Sequence, residues 1–229
     1  MKATKIIIAG SEGLIGKELV SFFSKKNSIK TICLDIDLGH DLTDEDQVKN
    51  LMIDNSEASH LINLFAINDH IEKGRGKSTL FDIELSSLRM YCEVNLVALF
   101  SVNRAFARYS KNPQSILNFS SLYGVKSPKP QIYDNSEKHI GYTITKHGVN
   151  GLTRHLATHL APIRVNAIVP GGVEYNQDES FIRKFSEHVP LGRMMKASEL
   201  CGIVEFLCSN KASYVTGAIL PVDGGWTSW

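Results

Sequence analysis

Ile6-Ile7-Ile8-Ala9-Gly10-Ser11-Glu12-Gly13-Leu14-Ile15-Gly16 is the stretch from which the fold can be read. Its apolar, β-branched start has the composition of a strand buried on both faces. Glycines then let the chain turn tightly. From about Gly13 to Lys25, Leu14, Ile15, Leu19, Val20, Phe22 and Phe23 recur with helical period. A strand, a glycine turn and a helix in that order bring backbone N–H groups to a helix N-terminus, where a pyrophosphate can be held. Gly10, Ser11, Gly13, Leu14, Ile15 and Gly16 are therefore candidate dinucleotide contacts. The spacing is G-x-x-G-x-x-G rather than G-x-G-x-x-G, and glycines serve any tight strand-to-helix turn, so the loop alone leaves both readings open.

Working outward, short β-branched runs alternate with helical patterns. Strands are expected at Thr31 to Leu34, Leu61 to Leu64, Ser115 to Phe119, Ile163 to Val169 and Ala218 to Val222. Helices are expected from Thr43-Asp44-Glu45-Asp46 (Thr43 and Asp46 as a capping pair), from Leu85 to Ser110, from Tyr142 to Leu160 and from Ser198 to Cys208. This alternation predicts an α/β fold: one Rossmann-type, doubly wound parallel sheet, forming a single dinucleotide-binding and catalytic domain over residues 1–229. Ligands are then expected at the carboxyl ends of the strands.

Asp35 closes the second strand, where a carboxylate can accept both ribose hydroxyls of an adenosine and would repel a 2′-phosphate. Its neighbours Ile36 and Asp37 are not basic, so NAD(H) is expected over NADP(H). A solvated loop acid is the plain alternative, and Asp37 can share the role.

Tyr142-Thr143-Ile144-Thr145-Lys146 places a phenol and an ammonium four apart on one helix face. A free tyrosine has a pKa of ~10. A nearby cation favours the phenolate and would bring it into range as a proton carrier. The same pair also occurs as an ordinary exposed helix couple. Asn118-Phe119-Ser120-Ser121-Leu122-Tyr123-Gly124 puts two hydroxyls at the end of a central strand. Asn95, set among Val94, Leu96, Val97 and Leu99, is an amide whose burial is costly without partners; it is either a structural satisfier or a proton-relay member.

Together these residues resemble the short-chain dehydrogenase/reductase family from end to end. Its Asn, Ser, Tyr and Lys catalytic set would fall on Asn95, Ser121, Tyr142 and Lys146, with Ser121 chosen over Ser120 because Gly124 follows three residues on. The resemblance further implies that Asn63 begins the family's strand-four motif. It implies that Arg164 to Gly171, with Pro170 and Gly171 at its turn, is the nicotinamide-side strand, and that Val173 offers backbone contacts to the carboxamide. It also gives Tyr142 and Lys146 a part in cofactor binding. The ending Val222-Asp223-Gly224-Gly225-Trp226 is similar too.

Several features depart from the family pattern. The glycine spacing is that of its extended branch, whereas the C-terminal two thirds is close to its classical branch. The usual Asn-Asn-Ala-Gly is here Asn63-Leu64-Phe65-Ala66. The stretch from Asp35 to Asp41 is too short for the family's third helix, which would move Asp41 and Leu42 to the adenine. An insertion before Tyr142 contains Lys126, Lys129, Tyr133 and Lys138, and Tyr133 could replace Tyr142 at the substrate. Glu174-Tyr175-Asn176 offers no counterpart to the family's threonine.

The 229 residues carry a formal net charge of +1 with no run of one sign, so neither nucleic acid nor a membrane surface is an expected partner. No signal-like segment precedes the first strand, which makes a cytoplasmic location the expectation. The four cysteines form no CxxC pair and read as free buried thiols. Gly76-Lys77-Ser78-Thr79 resembles the end of a P-loop but lacks the required first glycine. His155 and His159 lack the carboxylate or HExxH context of a metal site, and no metal is expected. Asn118-Phe119-Ser120, a glycosylation triplet, falls in a buried strand.

The expected function is an NAD(H)-dependent oxidoreductase interconverting a secondary alcohol and a ketone on a polar, sugar-like small molecule. Segments 71–79 (with Lys73, Arg75 and Lys77) and 126–140, rich in basic and hydroxyl groups, favour a polar or anionic substrate over a steroid. A catalytically silent NAD(H) sensor of the same fold is the alternative, but it would have no need of a proton-transfer group. A homodimer or homotetramer is expected, because Leu96, Leu99, Phe100, Val102 and Phe106 exceed what one helix face needs for a monomer's core.

Overall fold

The computed structural model describes residues 3–68, 80–133 and 137–229. Among the described residues, six parallel strands lie in the order β2-β1-β3-β4-β5-β6. They are β1 (Thr4–Ala9), β2 (Ile29–Leu34), β3 (His60–Asn63), β4 (Ser115–Phe119), β5 (Arg164–Pro170) and β6 (Ile219–Val222). Alternation along β1 shows why both faces must be covered. Ile7 and Ala9 join one core cluster, and Ile6 and Ile8 another. On the first face pack α2 (Glu45–Asp54), α4 (Leu99–Tyr109) and α5 (Ile140–His159), through Met52, Phe106 and Leu156. On the second pack α1 (Leu14–Ser24) and α7 (Cys201–Leu207), through Leu19, Phe23 and Val204. Leu19 and Phe23 are fully buried, so truncating either to alanine should cost ~2–5 kcal/mol.

Several local expectations shift. The cap of α2 is Asp44, not Thr43; its carboxylate accepts from the backbone N–H groups of Asp46 and Gln47, both at 3.0 Å. Two residues is the spacing a short acidic side chain spans to reach the second and third N–H groups of a helix. From β2 to α2 the chain holds only a 3-10 turn, Ile36–Leu38, so β2 is left as a sheet edge. A helix that the sequence reading does not include, α6 (Glu179–Ser186), is capped by Asp178, which accepts from Phe181 N–H at 2.8 Å.

The long helix expected from Leu85 is continuous but not uniform. It runs as α3 (Leu85–Cys92), a π-helical turn (Glu93–Ala98) and α4. Extra residues in a π turn rotate the following face, and such turns recur at functional sites; this one carries Asn95. By length and composition Leu85–Tyr109 could cross a membrane, with 25 residues and a mean hydropathy of 1.2. Here it packs on α2, α5 and β3 and turns Asn95 and Asn103 inward. Of the five apolar residues expected to exceed core needs, Leu99, Val102 and Phe106 are core. The apolar groups left outside on this helix and α5 include Met90, Val97, Phe100 and Ile144.

Candidate active site

The strand ends converge on a cleft with two halves sharing Gly10, Gly13, Leu64 and Ala66. The half beside Asp35, expected from the sequence to be the adenosine side, has a volume of about 530 Å³, and the half beside Tyr142, expected to be the catalytic one, about 410 Å³.

The glycine loop divides into two duties. Gly10 has φ +88° and sits so close to the chain after β3 that a Cβ would meet Phe65 N at 2.5 Å. A Cβ on Gly16 would meet Gly10 O at 2.2 Å, so α1 can seat on the loop only with glycine there. Gly13 has no such demand from the protein: its Cβ would find only Gly10 O, at an ordinary 3.6 Å. Gly13 is also the N-cap of α1, which has no side-chain cap. Buried Ser11 Oγ beside it has no hydrogen-bond partner among the described residues. An open helix N-terminus, a glycine facing free space and an orphan hydroxyl fit a pyrophosphate. Leu14, Ile15 and Gly16 line the catalytic half.

At the other end, Asp35 is held by backbone. Glu12 N–H donates to Oδ2 at 2.8 Å, and Asp37 N–H donates to Oδ1 at 3.1 Å. Each oxygen keeps lone pairs for further donors. Asp41 and Leu42 line the same half. Asp41 Oδ1 accepts from the Thr43 hydroxyl at 2.6 Å and its N–H at 2.9 Å, and these bonds hold the carboxyl below its ordinary value.

In the catalytic half, Ser121, Tyr142 and Lys146 share one wall. Ser121 Oγ accepts from Tyr123 N–H at 3.1 Å, and its hydroxyl acts on the Tyr142 phenol, favouring the phenolate. Ser120 is spent elsewhere: its hydroxyl donates to the Lys146 carbonyl at 3.0 Å. Gly124 is what lets α5 come this close, since a Cβ there would meet Lys146 O at 2.7 Å. Asn150 Nδ2 donates to the Gly124 carbonyl at 2.8 Å and fixes the turn. Pro170, Gly171 and Val173 line the same half. Gln177, which the sequence reading does not single out, lines it too and donates to the Val173 carbonyl at 2.9 Å.

The electrostatics differ from the expectation for the Tyr–Lys pair. Lys146 is 4% exposed, and its Nζ donates to the Phe119 carbonyl at 2.8 Å, lying 5.6 Å from the Tyr142 ring centroid. Burial, helped by the charge of Lys138, pulls its pKa down to about 8. Burial pushes the Tyr142 phenol up, and the Ser121 hydroxyl only partly opposes this. Desolvation outweighs the lysine because the ammonium is turned to a carbonyl rather than to the phenol oxygen.

Two predicted residues act on the backbone and the frame rather than on the cleft wall. Asn95 Oδ1 accepts from Ile67 N–H at 2.7 Å, and its Nδ2 donates to Ile67 O and Thr145 Oγ1, both at 3.1 Å. It therefore pins the chain after β3 to α5. Asn63 is fully inside: its Nδ2 donates to Asn103 Oδ1 at 2.6 Å and Asn118 Oδ1 at 2.9 Å, and Asn118 Nδ2 donates to Thr153 at 3.1 Å. Asn103, Asn118 and Thr153 were not legible as partners, because this network joins β3, α4, β4 and α5 across long sequence distances.

The insertion before Tyr142 also splits. Lys126 Nζ donates to the Trp229 carbonyl at 3.2 Å, and Lys129 Nζ lies 3.2 Å from His188 Nδ1 and 5.4 Å from the Trp226 ring. These two hold the C-terminal segment and do not line the cleft. Tyr133 and Lys138 do line it. Tyr133 donates to the Tyr123 hydroxyl at 2.6 Å, and burial pushes both phenols up, Tyr123 to about 12. His139 caps α5 by accepting from Gly141 N–H at 3.0 Å and stacks on Tyr91 at 4.4 Å, which sets where Tyr142 enters. Segment 71–79, with Lys73, Arg75, Lys77 and the P-loop-like Gly76 to Thr79, lies outside the described residues.

The family described as "Enoyl-(Acyl carrier protein) reductase" matches residues 24–227. The chain belongs to the short-chain dehydrogenase/reductase family. It is 28% identical to the "Post-translational flagellin modification protein A" of Campylobacter coli, over 96% of this chain and 97% of that one. It is 32% identical to the 3-oxoacyl-[acyl-carrier-protein] reductase FabG of Thermotoga maritima, over 80% and 74%. Among solved structures, a short-chain dehydrogenase from Leptospira borgpetersenii with bound NAD+ is 31% identical, with a TM-score of 0.83 over 99% of this chain and 94% of that one. As a short-chain dehydrogenase/reductase, the chain is an oxidoreductase with a nicotinamide-dinucleotide fold; solved relatives carry NAD+ or NADP.

Proposed function

We propose that this short-chain dehydrogenase/reductase interconverts a secondary alcohol and a ketone on a polar, sugar-like small molecule, using NAD(H) in preference to NADP(H). The observation that carries the reading is the meeting of Ser121, Tyr142 and Lys146 on the lining of the same cleft that the glycine loop opens. Asp35, with no basic neighbour, favours the unphosphorylated ribose.

NAD+, when bound, supplies the hydride acceptor, and NADH the donor. The residues of the chain handle the proton and the positions. In oxidation Tyr142 takes the hydroxyl proton as the carbinol hydrogen leaves with its electron pair; in reduction it returns that proton to the ketone oxygen. Its raised pKa keeps it protonated near neutrality, which is the form reduction needs. Ser121 orients the substrate oxygen beside the phenol. Lys146 supplies positive charge whose strength changes near pH 8. Asn95 holds Ile67, and so the floor of the cleft, in register with α5.

The test is NADH consumption across a panel of ketones, comparing wild type with Tyr142→Phe. The phenylalanine keeps shape and cofactor affinity but carries no transferable proton, so turnover should fall ~100-fold or more. If Tyr142→Phe turns over normally while Tyr133→Phe does not, the proton carrier is the other phenol.

A further inference from the structure

Between β2 and Asp41 the chain makes one closed turn, and His40 closes it. The Asp35 carbonyl accepts from Leu38 N–H at 3.0 Å and from His40 N–H at 2.9 Å. In return, Asp35 N–H donates to His40 Nδ1 at 3.4 Å. Gly39, at φ +82°, supplies the reversal that brings the chain back to Asp35. The imidazole is thus tied through one nitrogen to the residue whose carboxylate stands in the cleft.

That tie decides which nitrogen carries the proton. A ring nitrogen that accepts a hydrogen bond has none, so the neutral imidazole holds its proton on Nε2. His40 lines the half of the cleft beside Asp35, and that half is otherwise poor in donors. Glu12, Asp35, Asp37 and Asp41 bring carboxylates to it. Thr43 brings a hydroxyl, but this is committed to Asp41 Oδ1 at 2.6 Å. The remaining side chains on the lining, Leu42 and Phe65 among them, are apolar.

An adenosine needs more than acceptors around it. Its hydroxyls and amino group can donate to carboxylates, but its ring nitrogens and ribose oxygens accept, and enclosing them unmet is costly. We infer that His40 is a cofactor-binding residue whose Nε2–H donates to an acceptor atom of the adenosine, a ring nitrogen or a ribose hydroxyl oxygen. This rests on the reading of the Asp35 half as the adenosine side and adds the donor that its acidic lining lacks. The sequence reading does not single out His40, because its tie to Asp35 exists only once the turn has closed.

The test titrates the full chain calorimetrically with NAD+ and with ADP-ribose, which keeps the adenosine but has no nicotinamide. His40→Asn sets an amide oxygen near the place of Nδ1, so it can keep the turn closed, and it has nothing at Nε2. Both ligands should bind about three- to tenfold more weakly to this variant, the worth of a neutral hydrogen bond. ADP-ribose analogues then locate the partner atom. The 2′- and 3′-deoxy forms remove a ribose acceptor, and the 1-, 3- and 7-deaza forms remove a ring nitrogen. Wild type and His40→Asn should bind one of these equally, because that ligand already lacks the bond. If His40→Asn binds NAD+ and ADP-ribose as tightly as wild type, the inference is overturned. It is overturned equally if the deficit is unchanged on every analogue, since His40 then acts on the turn alone. A wild-type chain that binds neither ligand removes the dinucleotide reading and this inference with it. The proton-carrier reading of Tyr142 is untouched by these titrations, which involve no substrate.

Discussion

Replacing Lys146 with methionine tests the buried cation without any substrate. The ammonium is 4% exposed and titrates near 8 rather than 10.5. At pH 7 that displacement corresponds to ~3 kcal/mol of destabilisation by the charged form. Against it, the variant leaves the Phe119 carbonyl without its donor, at a cost of ~1–3 kcal/mol. These nearly cancel, so the stability change at one pH decides nothing. The pH dependence decides. A base with a depressed folded pKa is held more tightly by the unfolded chain, so stability rises with pH from about the folded value to the unfolded one. Between pH 7 and pH 9 the wild type should gain ~1.3 kcal/mol, close to tenfold in the folding constant, relative to Lys146→Met. Cys201 and Cys208 have raised pKa values. They act in the opposite sense, losing stability as pH rises above the unfolded thiol value, but both proteins share them. Tyr142, also raised, matters only above pH ~10. Urea unfolding of both proteins at pH 7, 8 and 9, without cofactor and at one protomer concentration, reads the difference. A difference that stays flat or falls with pH would refute the assignment of a buried, titrating Lys146.

The glycine loop should separate fold from binding. Gly13→Ala should keep a melting temperature near wild type and lose NADH affinity tenfold or more in a fluorescence titration, because its Cβ occupies only the open space. Gly10→Ala, at φ +88° and 2.5 Å from Phe65 N, should instead lower stability by ~1–3 kcal/mol in urea unfolding. Cofactor choice should follow Asp35: wild type favours NADH over NADPH in calorimetry, and Asp35→Ala with Ile36→Arg narrows or reverses the preference. A wild type that prefers NADPH removes that role from Asp35. Assembly should use the helix pair carrying Asn95 and Tyr142, through the exposed Met90, Val97, Phe100 and Ile144. Light scattering should give a dimer or tetramer at micromolar concentration, and Phe100→Glu should shift it toward monomer.

What could be read in the sequence follows the range over which each constraint acts. The loop from Gly10 to Gly16 was legible because a tight turn and a close helix approach are demands met within a few residues. Tyr142 and Lys146 were legible because helical spacing alone puts them on one face. Asp44 displaced Thr43 as the cap of α2 by a single residue, the scale at which Asp and Thr compete for the same N–H groups. Helix α6 was missed because its eight residues follow a polar stretch and its pattern, Phe181, Ile182 and Phe185, is too short to stand out. The roles of Asn63 and Asn95 lay beyond reach for another reason. A buried amide announces only that it needs partners, and here those partners come from Asn103, Asn118, Ile67 and Thr145. The pKa of Tyr142 is the same lesson in electrostatics. Spacing placed a lysine beside the phenol, but the Phe119 carbonyl, supplied by another element, decided where its charge points. Lys138, which lines the cleft, lies in a segment whose sequence alone could not separate it from Lys126 and Lys129, which bind the chain's own C-terminal segment.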